Sequence, residues 1–249
     1  MSDKIAVTTT FPNSSWQLYA ERMLRGFVQF WPEDIQLLVN LDDDMLFDET
    51  KRILRQNDAI SCGWEKERLD FITKNKDKDH PTDYRKQAVR FCHKAFSLKH
   101  CLLAIEEAKK NGVTDIPRYL IWIDADVLTT SEVKHEDILS CLPKEGDAVS
   151  YLGREDWDHS ECGWLAFDLE NGGGSLINKF VEMYRKEENG EYPLFSLPQW
   201  HDSYLFDIAR KDFRSTNLTD GKDGIDIWTA SPMAKFSKPY RDWETECIS

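Results

Sequence analysis

Tyr119-Leu120-Ile121-Trp122-Ile123-Asp124-Ala125-Asp126-Val127 is the stretch on which the reading of this chain turns. Five apolar residues in succession, without a polar alternate, describe a strand covered on both faces. The run stops at two carboxylates two residues apart. In a strand, residues two apart point to the same side, so Asp124 and Asp126 are expected to converge on one spot. They stand at the strand's C-terminal end, where open α/β sheets bind ligands. Two hard oxygen donors with room for water suit Mg2+ or Mn2+, and such cations complete their shells with phosphate oxygens. Asp-x-Asp is common at ordinary strand-end turns, so the tripeptide alone decides nothing. Its place in mid-chain, after a fully apolar strand, favours a site.

Strands and helices alternate on the amino-terminal side of this stretch. Lys4 to Thr9 reads as a buried strand ending in a polar edge, Thr8-Thr9-Thr10-Phe11-Pro12. Trp16, Tyr19, Ala20, Met23, Leu24 and Phe27 keep helical spacing behind a capping Asn13 or Ser14, and Pro32 stops that helix. Ile35 to Asn40 is a second apolar strand, followed by Asp42-Asp43-Asp44. Residues 45–71 read as helix and loop. The charged run Lys74 to Asp79 reads as a solvated loop, with a mobile flap as the alternative. Asp83 to Lys110 carries a long helical pattern that Gly112 ends. Beyond the central strand, strands are expected near 148–152 and 163–169, a turn at Asn171 to Gly174, and helices over 176–184 and 202–209. The tail from Asp220 has no clear period. The alternation implies an open α/β sheet, and no repeat or linker divides residues 1–249.

Thirty-two Lys and Arg stand against 45 Asp and Glu among 249 residues, a formal charge of −13, so the field repels nucleic-acid backbones. An acidic protein that handles phosphates needs a metal ion or a few well-placed cations. With no signal-peptide core and no apolar run long enough to cross a bilayer, the expectation is a cytoplasmic protein of bacterial or viral type without an anchor. The six cysteines lack CxxC spacing and read as free thiols.

Around Tyr-Leu-Ile-Trp-Ile-Asp-Ala-Asp-Val the sequence resembles the Asp-x-Asp region of GT-A fold glycosyltransferases, which use nucleotide-sugar donors and a divalent metal. The resemblance implies a single GT-A-type α/β domain over 1–249, with a Rossmann-like, mostly parallel central sheet flanked by helices. Residues 1–130 would form the nucleotide-binding half, and 131–249 the acceptor half and tail. It places Thr8, Thr9, Thr10 and Phe11 at the nucleobase and Asp42 and Asp43 at the base or ribose. Arg85, Lys86 and Arg90, on the helix before the Asp-x-Asp strand, would reach the donor; for Arg90 a solvated helix face competes. Asp126 would be the more direct ligand of Mn2+ or Mg2+, with Asp124 sharing the metal or touching the ribose. A UDP-sugar is the expected donor, and a carbohydrate or other hydroxyl the acceptor.

Gly153-Arg154-Glu155-Asp156-Trp157 and Glu161-Cys162-Gly163-Trp164 fall where such enzymes build the floor of the sugar site. Trp157 or Trp164 would stack on a sugar unless it is a core aromatic. Gln199-Trp200-His201-Asp202-Ser203-Tyr204-Leu205 is similar to the Trp-His-Asp-Glu stretch of glycosyltransferase family 6, a retaining group. Ser203 replaces that family's glutamate, which argues against a double displacement there. Asp202 remains to hold donor hydroxyls or to stabilise positive charge, or else serves as an N-cap. A retaining course would use Asp202 or Glu161, and an inverting one Asp156 or Glu155 as general base; retention is slightly favoured. His201 is a minor candidate for a third metal ligand, and Lys235 and Lys238 for phosphate contact. The competing readings are a haloacid-dehalogenase-like phosphohydrolase, a sugar nucleotidylyltransferase and a non-catalytic sugar-binding protein. The first would place Thr or Val where Leu128 stands, and the second would need a Gly-rich basic loop after the first strand. A Rossmann dehydrogenase is excluded, because no G-x-G-x-x-G opens the first helix.

Overall fold

The computed structural model describes residues 4–41, 60–62, 66–154, 159–187, 192–219 and 227–240. Its strands are β1 (Ile5–Phe11), β2 (Gln36–Leu41), β3 (Ile60–Cys62), β4 (Tyr119–Ile123), β5 (Val127–Thr129), β6 (Val149–Leu152), β7 (Glu161–Asp168), β8 (Ser215–Asn217) and β9 (Ser237–Pro239). Among the described residues seven of them form one sheet in the order β3-β2-β1-β4-β7-β6-β8, while β5 and β9 pair apart. The first four in that order are parallel to one another, and β8 is parallel to β6. Only β7 runs against its neighbours β4 and β6, so the sheet is mostly parallel, as expected.

Helices α1 (Glu21–Phe30), α2 (Lys66–Asn75), α3 (Ala88–Lys110), α4 (His135–Leu139), α5 (Gly173–Arg185) and α6 (Asp202–Arg210) surround it. Alternation along each strand divides the core. Ile5, Val7, Ile121, Ile123 and Trp164 face α1 and the C-terminal segment, whereas Ala6, Leu120, Trp122, Leu165 and Phe167 face the α3, α5 and α6 layer. β4 is buried at all five positions because both layers cover it. Among the described residues no helix is long and apolar enough to cross a membrane.

Several expectations need correction. The helix expected from Asp83 begins at Ala88; Tyr84–Lys86 is a separate 3-10 turn. Arg85 and Lys86 therefore lie before the helix and not on it. The start of α3 is held from a distance: the Asp79 carboxylate accepts from the N–H groups of Val89 and Arg90, both at 2.9 Å. The charged run before it is tied down as well, since Lys74 pairs with Glu187 at 2.7 Å and Lys78 lies 4.2 Å from the Phe195 ring centre. The first helix is not uniform: a 3-10 turn and a π turn (Trp16–Ala20) precede α1, and neither Asn13 nor Ser14 caps it. The aperiodic tail supplies β9, which the sequence pattern did not show because three residues give no period.

Candidate functional site

β7 runs antiparallel to β4, so its first residues stand beside the end of the central strand. The Asp124 N–H donates to the Gly163 carbonyl at 3.0 Å. Strand geometry stops at Ile123, and the chain turns, with the Val127 N–H closing onto the Asp124 carbonyl at 3.0 Å. Asp124 and Asp126 thus face one place through a turn rather than through strand alternation. Both line a cleft of about 280 Å3 at the C-terminal edge of the parallel strands, together with Thr10, Tyr19, Arg90, Lys94 and Asp202.

Lys94 joins the carboxylates. It comes from α3, with its side chain only 7% exposed, and its ammonium lies 3.0 Å from Asp124 Oδ1. It also pairs with Asp202 Oδ2 and donates to the Cys162 carbonyl at 2.8 Å, so its three protons are all used. Burial alone would push Lys94 down, but the Asp124 and Asp202 carboxylates outweigh it and hold the amine well above the usual lysine range. The same pairing, with help from His201, overcomes burial at Asp202 and keeps that carboxyl well below the usual carboxylate range. Asp124 is pushed up by burial, against the pull of Lys94, and Trp122 Nε1 donates to its Oδ1 at 2.6 Å. Burial, and then the neighbouring Asp124 and Glu161 carboxylates, push the half-buried Asp126 up to about 7, and among the described residues no ion pair holds it. Glu161 is held by the Arg154 guanidinium and by the Gly163 N–H, at 3.0 Å from its Oε1.

The remaining expectations divide. Thr10 reaches the cleft, but Thr8, Thr9 and Phe11 are buried; Thr8 accepts from Asn40 and Cys101, and Phe11 packs on Trp16. Arg85 pairs with Asp83, and Lys86 donates to the Leu197 carbonyl at 3.1 Å; neither lines the cleft. Asp42, Asp43, Glu155, Asp156 and Trp157 lie outside the described residues. Trp164 is a core residue. Asp202 is the first residue of α6 and not its N-cap, a place taken by His201. His201 turns its Nε2 to Gln199 Oε1 at 2.8 Å, packs edge-on to His159 and is not among the residues that line the cleft. Lys235 pairs with Asp137, away from the cleft. Cys92, Cys101, Cys141 and Cys162 are buried thiols in no disulfide.

Among the described residues no group of three or more His, Cys, Asp or Glu has the arrangement to hold a metal by itself. Asp124 and Asp126 are a two-carboxylate set. The C-terminal segment closes on them, since the Tyr240 N–H donates to the Asp126 carbonyl at 2.6 Å and Trp228 lies under Gly163. Lys94 is not among the residues that the sequence pattern marks as functional. Its signal was a lysine within the apolar stripe of α3, three residues after Phe91 and four before Leu98.

No family model matches the sequence, and no curated protein resembles it significantly. Solved structures do. The glycosyltransferase GlyE of Streptococcus pneumoniae TIGR4 is similar over 88% of this chain at 11% identity, with a TM-score of 0.52; its apo form matches 87% with a TM-score of 0.53. The bifunctional glycosyltransferase WbbM matches 88% at 9% identity, with a TM-score of 0.50. The chain spans less than half the length of these proteins, 46% of GlyE and 39% of WbbM. The fold they share with this chain is the GT-A type that the Asp-x-Asp stretch implied.

Proposed function

We propose that the protein is a metal-dependent glycosyltransferase of the hexosyltransferase type, moving a sugar from a UDP-sugar donor to a hydroxyl acceptor with retention of configuration. The observation that carries this reading is the constellation in the cleft: Asp124 and Asp126 side by side, with Lys94 joining Asp124 to Asp202. The donor set fits a divalent cation. Asp124 Oδ1 is taken by Lys94 and Trp122, which leaves Oδ2, and a cation would offset the burial and the neighbouring Asp124 and Glu161 charges that together raise Asp126. Bound there, Mn2+ or Mg2+ supplies Lewis-acid stabilisation of charge on the departing diphosphate.

The chain's own residues do the rest. Thr10 and Tyr19 offer the nucleoside a polar edge and a ring at the β1 side of the cleft. Arg90 brings positive charge to its mouth. Lys94 fixes the distance between Asp124 and Asp202 and balances one of their charges, so neither carboxylate has to be reoriented during reaction. Asp202 stays ionised, as needed to stabilise positive charge developing at the anomeric carbon. The Ser203 N–H donates to Asp202 Oδ1 at 2.8 Å, so the position that carries glutamate in the related pattern here orients the carboxylate. Glu161, the other candidate for a retaining course, is occupied by Arg154 and the Gly163 N–H, which favours Asp202 for that role. An inverting course would use Asp156 or Glu155 as general base.

UDP with Mn2+ is expected to raise the melting temperature by several degrees, and Asp126→Ala to abolish both that shift and UDP release from UDP-sugars while the variant stays folded. No shift with any nucleoside diphosphate plus metal would overturn the transferase reading. Phosphate release from sugar phosphates without a nucleotide would replace it by the phosphohydrolase.

A further inference from the structure

The segment between Asp79 and Gln87 is bound to itself and to its neighbours more tightly than a surface connection requires. Asp79 caps α3, the His80 N–H donates to the Lys86 carbonyl at 2.8 Å, and Gln87 Nε2 donates to the His80 carbonyl at 2.8 Å. The His80 ring accepts from the Asp83 N–H at 3.0 Å, and Asp83 caps the turn that follows. From the other side, the Trp200 N–H donates to the Arg85 carbonyl at 2.6 Å, and Lys86 lies over the Trp200 ring at 4.3 Å. What this frame presents is Tyr84. Its ring meets His201 edge-on at 5.4 Å, and it is 42% exposed, the one aromatic among the large exposed apolar side chains of the described residues. His201 precedes Asp202, and Phe91, which also packs on His201, lines the cleft.

We infer that Tyr84 is a stacking shelf for the acceptor and that the acceptor is a carbohydrate. The inference rests on the transferase reading above. The axial C–H bonds of a pyranose give one of its faces an apolar, weakly positive character, which suits the negative face of a tyrosine ring. A rigid aromatic of two side-chain torsions loses little entropy on binding, and the hydrogen-bonded frame has already fixed its backbone. The ring packs on His201, whose neighbours Asp202 and Phe91 line the cleft, and the acceptor sugar would lie on that ring, at the rim of the cleft.

The test uses the full chain loaded with UDP and Mn2+. Methyl glycosides of glucose, galactose and N-acetylglucosamine, and separately a serine-bearing peptide, are titrated and followed by saturation-transfer NMR. At least one glycoside is expected to bind through its ring protons. Tyr84→Ala should weaken that binding about tenfold, while Tyr84→Phe and Tyr84→Trp stay within about twofold. The UDP–Mn2+ melting shift should persist in all three variants, which separates failure of the shelf from failure of the transferase reading. Binding unmoved by Tyr84→Ala, binding of the peptide alone, or no binding by any glycoside would each overturn the proposal.

Discussion

The two ends of the central sheet handle charge in opposite ways. At the C-terminal edge of β4, Asp124, Asp126, Asp202 and Glu161 crowd together, and one buried lysine serves two of them. At the opposite edge the polar groups are matched. Asp168, 1% exposed, accepts from Arg118 Nη2 at 2.7 Å, from Asn171 Nδ2 at 2.8 Å and from the Glu170 N–H at 3.0 Å. Burial would raise Asp168, but these donors overcome it and hold its carboxyl below the usual range. The difference teaches where the fold carries strain. A satisfied network ties the strand ends together, whereas an unsettled one invites a ligand to settle it.

The largest effect should come from breaking the bridge at the crowded end. Lys94→Met removes the cation from the half-buried Asp124 and the buried Asp202 and leaves them only neutral donors, Trp122 Nε1 and the Ser203 N–H, which costs about 3 kcal/mol and lowers the melting temperature by ~8 °C. Donor turnover should be lost at the same time. Adding Asp202→Asn to Lys94→Met should restore stability in part, because one uncompensated charge disappears, but not turnover. Thermal melts of the two variants decide this. If Lys94→Met keeps wild-type stability, the lysine is not what holds the carboxylates together, and the contrast between the ends collapses.

The matched end predicts a pH signature instead. Because the folded state holds Asp168 below its unfolded value, its contribution is present above about pH 4 and is lost as the pH falls through the folded value. Asp168→Asn should cost ~2 kcal/mol at neutral pH, and the gap between variant and wild type should close in acid. Denaturant unfolding at pH 7 and pH 3 reads this directly. UDP release should be unchanged, since Asp168 stands at the far end of β4 from the cleft. A gap that does not narrow at all as the pH falls from 7 to 3 would mean that packing, not charge, makes the clamp.

Much of this was legible in local pattern. β4 was readable to the residue because it is buried on both faces, and the two carboxylates after it marked the cleft. The basis of their convergence was not legible: alternation predicted it for a strand, whereas a turn produces it. Lys94 was passed over because inner helix positions are read for apolar residues, and its partners come from residues 30 and 108 positions further along the chain. The edge Thr8 to Phe11 read as one site, yet only Thr10 reaches the cleft, because alternation sends its neighbours into the two core layers. Asp168 and Arg118, fifty residues apart, left no signal for the opposite clamp. Pairings set by tertiary contact have no period, so they appear only once the chain is folded.

Two glycines give the finest version of the contrast. At the cleft, a Cβ on Gly163 would lie 3.2 Å from the Trp228 ring, 3.4 Å from Glu161 Oε1 and 3.7 Å from Asp124 Oδ2. The indole cannot move freely, because Trp228 Nε1 donates to the Ser237 carbonyl at 3.0 Å and holds the C-terminal segment in place. Gly163→Ala should therefore cost ~1 kcal/mol and lower UDP release several-fold, by displacing the residues around Asp124. At the opposite end Gly174 lies in the first turn of α5, where an added Cβ would meet only the flexible tip of Leu102 at 3.4 Å. Gly174→Ala should raise stability by ~0.5 kcal/mol, through the lower entropy of the unfolded chain, and leave UDP release alone. Opposite signs in paired melts would confirm that close approach is demanded at the cleft and merely tolerated at the other end. Equal signs would mean that the crowding around Asp124 extends no further than its charges.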